Sequence, residues 1–205
     1  MEMTMVKELL LQALEHEKGG VQIYETALKC VINEDLKEEW EKYHQETEHH
    51  VQVLHDVCSQ MQFDPEEQTP GRKIVHDMGL SLVKAMEAAL ANGGEAGSKA
   101  GGKEAAQCVA CECVVLAETT DHSNWELIGE VSKKMTGPEG KALKEAYAEV
   151  EDQEDEHLYH SRGWLRELSL ESLGLKAVLP PPEERKDVHS AIGAQRAKAE
   201  RSKMR

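Results

Sequence analysis

Apolar residues recur at alternating steps of four and three along two stretches of the chain, residues 10–31 and 143–168. This spacing keeps them on one face of an α-helix, so each stretch predicts a long helix with a buried seam. Three positions on these seams carry a carboxylate or an imidazole instead: Glu17 in the first stretch, and Glu154 and His157 in the second. Burying an unpartnered charge costs several kcal/mol. The seams therefore predict that these groups are paired or bound to a metal.

The same pattern predicts four long helices, over about 4–32, 35–61, 104–135 and 141–173, and a shorter one over about 73–91. Short turns join the first long helix to the second and the third to the fourth, which predicts two antiparallel hairpins. The long connection between the hairpins, with the loop 92–102, lets the second and third long helices run parallel. We therefore predict an all-α fold: an antiparallel four-helix bundle in residues 1–174 with a partly helical crossover, then a Pro-containing, basic tail in residues 175–205.

Two Glu-x-x-His motifs lie in the second helices of the two hairpins, at Glu46–His49 and Glu154–His157. Residues three apart share a helical face, so a carboxylate and an imidazole can bind the same ion. One such motif is weak evidence in a chain with 39 acidic residues and ten histidines. Two motifs at corresponding places in two hairpins predict a metal site much more strongly.

The first helix of each hairpin should supply one carboxylate at matching depth. Counting residues from the turns selects Glu17 and Glu118, and Asp121 lies on the same seam as Glu118. Asp121 is either a ligand or an acceptor that orients a histidine, and helix phase leaves His50 as an alternative to His49. The predicted metal ligands are thus Glu17, Glu46, His49, Glu118, Glu154 and His157.

Carboxylates with imidazoles suit iron or manganese, and bridging carboxylates allow two ions to lie close together. One Glu from each of two helices with Glu-x-x-His from the other two is the arrangement of carboxylate-bridged di-iron and di-manganese bundles. We therefore predict two iron ions as the cofactor, with manganese possible.

With these residues, the chain resembles the ferritin-like superfamily, on the rubrerythrin and bacterioferritin side. The resemblance covers about residues 4–173 and rests on the Glu17-x(6)-Tyr24 spacing, the two Glu-x-x-His motifs and Glu118-Thr-Thr-Asp121. It implies a bridged di-iron site that reacts with peroxide or O₂. The paired CxxC motifs of a rubredoxin domain do not follow the last long helix, and Asp121 is one methylene shorter than the family's glutamate.

Composition narrows the classes of partner. The formal charge of −15 argues against nucleic acid and anionic membranes. The apolar runs are too short for a membrane span, and five cysteines, three of them in CVACEC (108–113), are not a secreted disulfide framework. These features predict a cytoplasmic protein whose cysteines are small core residues or redox sensors.

The leading hypothesis from sequence is a di-iron oxidoreductase that reduces hydrogen peroxide or O₂ while Fe(II) is oxidised, with Asp121 and Tyr24 as the predicted catalytic residues that manage protons. An electron donor of unknown identity and a homodimer or higher homo-oligomer are expected. Iron storage or detoxification, a di-manganese catalase and a substrate oxygenase are the alternatives on the same scaffold.

Overall fold

The chain is all-α in a computed structural model that describes residues 1–93 and 101–204, and no strand occurs within those ranges. The predicted ends of the five main helices lie within four residues of the observed ones. Residues 94–100 of the predicted 92–102 loop, and Arg205, lie outside the described residues. The helices are α1 (Met3–Cys30), α2 (Glu34–Gln60), α3 (Pro70–Gly93), α4 (Gly101–Ser132), α5 (Gly137–Ser172), α6 (Pro182–Arg185) and α7 (Ala191–Glu200), followed by a 3₁₀ turn, Arg201–Met204.

Local sequence signals explain where the helices begin and end. Asn33 caps α2, because its side chain accepts a hydrogen bond from the Leu36 backbone N–H at 3.0 Å. After α5, Gly174 adopts a positive φ of 72°. The N–H groups of Gly174 and Leu175 then bond back to carbonyls of the last turn of α5, which closes the helix. None of the helices in the described part of the chain is both long and apolar enough to cross a membrane.

Side-chain contacts show the direction of each long helix relative to its neighbours. As residue numbers rise along one helix of a contacting pair, they fall along the other, so α1 is antiparallel to α2 and α4, and α5 is antiparallel to α2 and α4. Helices α2 and α4 therefore run parallel. The contacts are Glu17–His50 and Tyr24–Tyr43 (α1–α2), Glu17–Trp125 and Tyr24–Glu118 (α1–α4), Glu39–His160 and Glu46–His157 (α2–α5), and His122–Asp155 and Glu118–His157 (α4–α5).

Helix α3, the crossover helix, packs against α1 and α4. Its first turn is fixed by Arg72, a buried side chain whose Nε donates to Glu15 Oε2 at 2.7 Å. The same guanidinium donates to the carbonyls of Pro65 and Glu67 in the connecting loop. The crossover thus covers one side of the α1–α4 pair.

A polar layer divides the hydrophobic interior into two cores at the same depth on all four long helices. One core contains Ile23, Trp40, Val114 and Trp164, and the other contains Leu14, Leu54, Ile128 and Val150. Between these two sets, each helix contributes buried polar side chains. They are Glu17 on α1, His50 on α2, Glu118 and Asp121 on α4, and Glu154 and His157 on α5.

The tail packs along α5 of its own chain. Glu167, a fully buried residue of α5, accepts a hydrogen bond from the Val178 backbone N–H at 2.7 Å. The guanidinium of the preceding residue, Arg166, donates twice to the Glu183 carboxylate, at 2.8 and 2.7 Å. A methyl group at Gly163 would lie 2.7 Å from Glu183 Oε2, so this glycine allows the close approach of the tail to α5.

Glu167→Ala should destabilise the protein by about 1–3 kcal/mol, because it leaves the buried Val178 N–H without its acceptor and removes one partner of Arg166. Urea unfolding measures this loss, and limited proteolysis should cut residues 175–205 faster. Glu171→Ala, an exposed glutamate one turn further along α5, is the matched control and should change stability little. Equal denaturation midpoints for the two variants would show that Glu167 does not anchor the tail.

Candidate metal centre

Four carboxylates and two imidazoles meet in the polar layer. Five of these six residues form two groups of three possible ligands, and within each group the ligand atoms lie within 4.8 Å of one another. Glu154 is common to both groups, which gives it the position of a bridge. The groups are Glu17, His50 and Glu154, and Glu118, Glu154 and His157.

The structure brings together four of the six predicted ligands, and it places His49 outside the cluster. The side chain of His49 is 52% exposed and contacts Glu149 at 2.7 Å on the surface. His50, the alternative, is fully buried, with Nδ1 3.4 Å from Glu17 and 3.1 Å from Glu154. The reason is helix phase: the buried face of α2 runs Trp40, Tyr43, Thr47, His50, Leu54 and Val57. This seam steps by three and four, and the Glu46–His49 pair lies one residue out of its register.

Glu46 lies beside the cluster, behind one of its histidines. Its side chain is 18% exposed, and its Oε2 accepts a hydrogen bond from His157 Nε2 at 2.9 Å. The residue that lies three before His50 on the buried face is Thr47, whose hydroxyl donates to the Tyr43 carbonyl. Helix α2 therefore directs the imidazole of His50 into the layer. The carboxylate of Glu46, on the same helix, accepts a hydrogen bond from the outer nitrogen of His157.

Both imidazoles are held by their outer nitrogens. His50 Nε2 donates to Gln153 Oε1 at 2.7 Å, as His157 Nε2 donates to Glu46. In each neutral ring the remaining nitrogen, Nδ1, then carries a lone pair. Those two nitrogens face the carboxylates of Glu17, Glu118 and Glu154 at 3.1–3.7 Å. Histidine ligands of metals are oriented in this way.

Two of the carboxylates are held similarly. Trp125 Nε1 donates to Glu17 Oε1 at 2.7 Å, and the Tyr24 hydroxyl donates to Glu118 Oε1 at 2.7 Å. In both glutamates Oε2 has no hydrogen-bond partner among the described residues. Each carboxylate is thus fixed by one oxygen and leaves the other unpaired.

The cluster contains half of the twelve buried side-chain atoms that lack a hydrogen-bond partner in the described part of the chain. Buried polar groups are nearly always satisfied, so such a concentration in one place points to a ligand. Oxygen and imidazole nitrogen donors, as found here, fit iron or manganese. The six atoms are Glu17 Oε2, His50 Nδ1, Glu118 Oε2, Asp121 Oδ1, Glu154 Oε2 and His157 Nδ1.

Burial and mutual repulsion control protonation of the carboxylates. Burial raises the pKa of Glu118 to about 7, and it also raises the pKa of Glu17. Burial raises the pKa of Asp121 well above its usual range, and repulsion from Glu17, Glu154 and Glu118 raises it further. Glu154 differs: burial raises its pKa, but the nearby His50 and His157 outweigh burial and bring it below the usual value.

The neighbouring carboxylates in turn raise the pKa values of the two histidines. Burial lowers the pKa of His50, but its contacts with Glu17 and Glu154 outweigh burial and raise this pKa well above the usual value. For His157 the hydrogen bond to Glu46 and the charges of Glu118 and Glu154 outweigh burial, so its pKa is also raised. Protons thus supply part of the positive charge that the buried carboxylates require.

A third group, Glu39, Glu156 and His160, also comes within 4.8 Å but is a hydrogen-bond network. His160 Nδ1 donates to Glu39 Oε1 at 2.7 Å, and the Val188 N–H donates to His160 Nε2 at 3.2 Å. Glu39 also accepts from the Trp164 indole N–H. Both nitrogens of His160 are therefore used, which leaves no lone pair for a metal.

Several residues of the site have roles that were not expected from the sequence. Trp125 lies on the predicted seam of α4, but its hydrogen bond to Glu17 spans two helices and leaves no signal in local spacing. Gln153 precedes Glu154 directly and holds His50. Cys111 and Cys113 are buried, and burial raises the pKa of both thiols, which agrees with core packing and leaves both thiols protonated.

No protein-family model, curated protein or solved structure matches this chain. The inference of function therefore rests on the side chains described above.

Asp121→Asn should stabilise the chelator-treated protein by about 1–3 kcal/mol at pH 8, because it removes one of several buried, mutually repelling carboxylates. Groups whose pKa is raised on folding lose stabilising free energy as pH rises from the unfolded to the folded pKa. Glu118, with a pKa near 7 against 4.5, acts in this direction, as do Glu17, Asp121, His50 and His157. The metal-free wild type should therefore become less stable between about pH 5 and 8.

Urea unfolding across this pH range measures both effects, and the gain from Asp121→Asn should shrink toward pH 5. Asp152→Asn, on the exposed surface of α5, is the control and should stay within about 0.5 kcal/mol of wild type. Wild-type stability that rises from pH 5 to 8 without metal would contradict this account of the cluster.

Proposed function

We propose that this protein is a di-iron carboxylate oxidoreductase of rubrerythrin-like type, built on a ferritin-like four-helix bundle. It reduces hydrogen peroxide or O₂ while Fe(II) is oxidised. The observation that supports the proposal best is the convergence of six buried, unpaired oxygen and nitrogen atoms from four helices on one layer. Such atoms are costly to bury alone, and hard divalent cations would satisfy all of them together.

Glu17 and His50 would hold one ion and Glu118 and His157 the other, with Glu154 within reach of both. This assignment follows the two groups of three ligands. Asp121, which is buried on the same helix as Glu118, would supply a further oxygen at the position on α4 where the family resemblance leads us to expect a second glutamate. Two ferrous ions bound at this site would supply the two electrons needed to reduce an O–O bond.

The surrounding side chains keep this ligand set in place. Tyr24 and Trp125 each fix one oxygen of a glutamate, Gln153 fixes His50, and Glu46 fixes His157. Reduction of peroxide to water also consumes two protons. Burial raises the pKa of Asp121 and so favours the protonated form of this carboxyl group. Its role is to hold that proton beside the reacting oxygen, and the role of Tyr24 is to hold Glu118.

Adjacent histidines provide a direct test of metal binding. His50→Ala should lower the affinity for at least one Co²⁺ or Fe²⁺ ion by roughly 100-fold or more, because it removes a buried ligand together with its oriented lone pair. His49→Ala should bind like the wild type, since His49 lies on the surface. Equilibrium titration, with elemental analysis of the protein from its native host, should give two ions per chain in the wild type. Equal affinity in the two variants would reject this ligand set.

Peroxide-dependent oxidation of Fe(II) tests the activity. Glu154→Gln should abolish the fast reaction, because it removes the carboxylate shared by both groups. Glu46→Ala should slow the reaction by roughly 10- to 100-fold, the effect typical of losing a group that orients a metal-bound histidine. Stopped-flow absorbance measures the rates, with Glu48→Ala, an exposed change on α2, as the control. Wild-type rates in Glu154→Gln would exclude the proposed oxidoreductase.

A further inference from the structure

A pocket of about 220 Å³ lies between α4 and α5 and reaches the polar layer. Its lining includes Glu126 on α4, Glu151 and Asp155 on α5, and Ala191 at the start of α7. Glu154, the carboxylate common to both ligand groups, lines the same pocket, as does Trp125, which is bonded to Glu17. The pocket therefore connects the protein surface with the interior cluster.

The carboxylates along this pocket become steadily more buried. The side chain of Glu126 is 66% exposed, that of Asp155 is 21% exposed, and that of Glu154 is 2% exposed. Lysine and arginine are absent from the described residues that line it. A cleft lined by charges of one sign concentrates ions of the opposite sign. A cation that enters at Glu126 and Glu151 thus passes carboxylates as far as the cluster, although the lining also includes the imidazole of His122 beside Asp155.

Glu154 shows that the pocket ends at an unsatisfied group. Its Oε2 is buried and lacks a hydrogen-bond partner within the described ranges. The carboxylates nearer the surface differ, since Glu151 accepts from the Tyr147 hydroxyl and Asp155 contacts His122 at 2.6 Å. The inner end is therefore where a cation would gain the most.

Other sides of the molecule are less suited to passage of a cation. Near Glu46, the ammonium of Lys42 lies 3.8 Å from that carboxylate and 2.5 Å from Glu156, so a positive charge already stands there. On the α1–α4 side, α3 covers the helices. A second pocket of about 220 Å³ between α2 and α5 contains His49, Glu145 and Glu149, but its described lining includes none of the six cluster residues.

We propose that the pocket between α4 and α5, closed on its outer side by the start of α7, is the path by which divalent cations reach the buried cluster. This inference rests on the proposed function, because it requires that the cluster binds metal. It assigns a purpose to the tail as well: Ser190 and Ala191 line the path, so the tail limits its width.

The rate of Co²⁺ association, followed by stopped-flow absorbance at low ionic strength, tests the path separately from the site. Glu126→Gln with Glu151→Gln should slow association by about three- to tenfold, because two charges that attract the ion are removed. Glu145→Gln with Glu149→Gln is the matched control, with the same change of charge on exposed residues that line the other pocket. It should retain the wild-type rate to within a factor of about two.

A variant with a bulkier side chain in the pocket distinguishes a path for the ion from a general electrostatic attraction by the protein surface. Ala191→Trp should slow association and dissociation together, by roughly tenfold, and leave the equilibrium affinity unchanged, because it narrows the path without touching the cluster. Ala199→Trp, on an exposed position of α7 outside the pocket lining, should bind at the wild-type rate.

The outcomes distinguish the two proposals. Two Co²⁺ ions per chain at equilibrium with slowed rates in both pocket variants support the path. If Ala191→Trp binds Co²⁺ with normal stoichiometry and at the wild-type rate, the path is overturned and the metal centre is not. The same conclusion follows if the two pairs of glutamine substitutions slow Co²⁺ association equally. Failure of the wild type to bind Co²⁺ or Fe²⁺ overturns the metal centre and the path together.

Discussion

The structure depends on the burial of four carboxylates at one depth in a helical protein. Glu17, Glu118, Asp121 and Glu154 lie between two apolar cores, where water does not screen their repulsion. Two imidazoles face them, and the raised pKa values of both histidines show how strongly the layer attracts positive charge. Stability alone does not explain this arrangement, because well-packed apolar side chains would cost less. The layer is best explained as a binding site that sacrifices stability for function.

The surrounding fold fixes the outer atoms of these groups and leaves the inner ones unpaired. Donors from neighbouring helices, Tyr24 and Trp125, each take one carboxylate oxygen, and acceptors such as Gln153 and Glu46 take the outer nitrogens of the histidines. Since each of these bonds joins two helices, the same contacts that orient the cluster also fix the register of the four long helices. Packing and site geometry are therefore coupled: a shift of one helix along its axis would disturb both the cores and the cluster.

The sequence predicted the helices well because their seams and turns are local signals. It also predicted which carboxylates of α1, α4 and α5 come together, since each interrupts an apolar seam. On α2 the motif Glu46–His49 led to the prediction of His49 as a ligand. The buried seam through Trp40, Tyr43, Thr47 and His50 is nevertheless visible in the sequence. A shift of one residue turns a side chain by about 100° around a helix, enough to exchange a buried imidazole for an exposed one. The bonds of Trp125 and the docking of the tail join distant parts of the chain, so no spacing could predict them.

The numbers of charges in the layer suggest how the metal-free and metal-bound states are related. Four ionised carboxylates with two neutral histidines carry four negative charges, which two divalent cations balance without any further ion. In the absence of metal the same balance is approached by protons, since burial raises the pKa of Asp121, Glu17 and Glu118 and the carboxylates raise those of His50 and His157. In the proposed function, metal binding would therefore exchange cations for protons within this layer. Because hydrogen bonds already orient these side chains, a cation would bind with little rearrangement of the helices, since the cost of burying the charges was met when the chain folded.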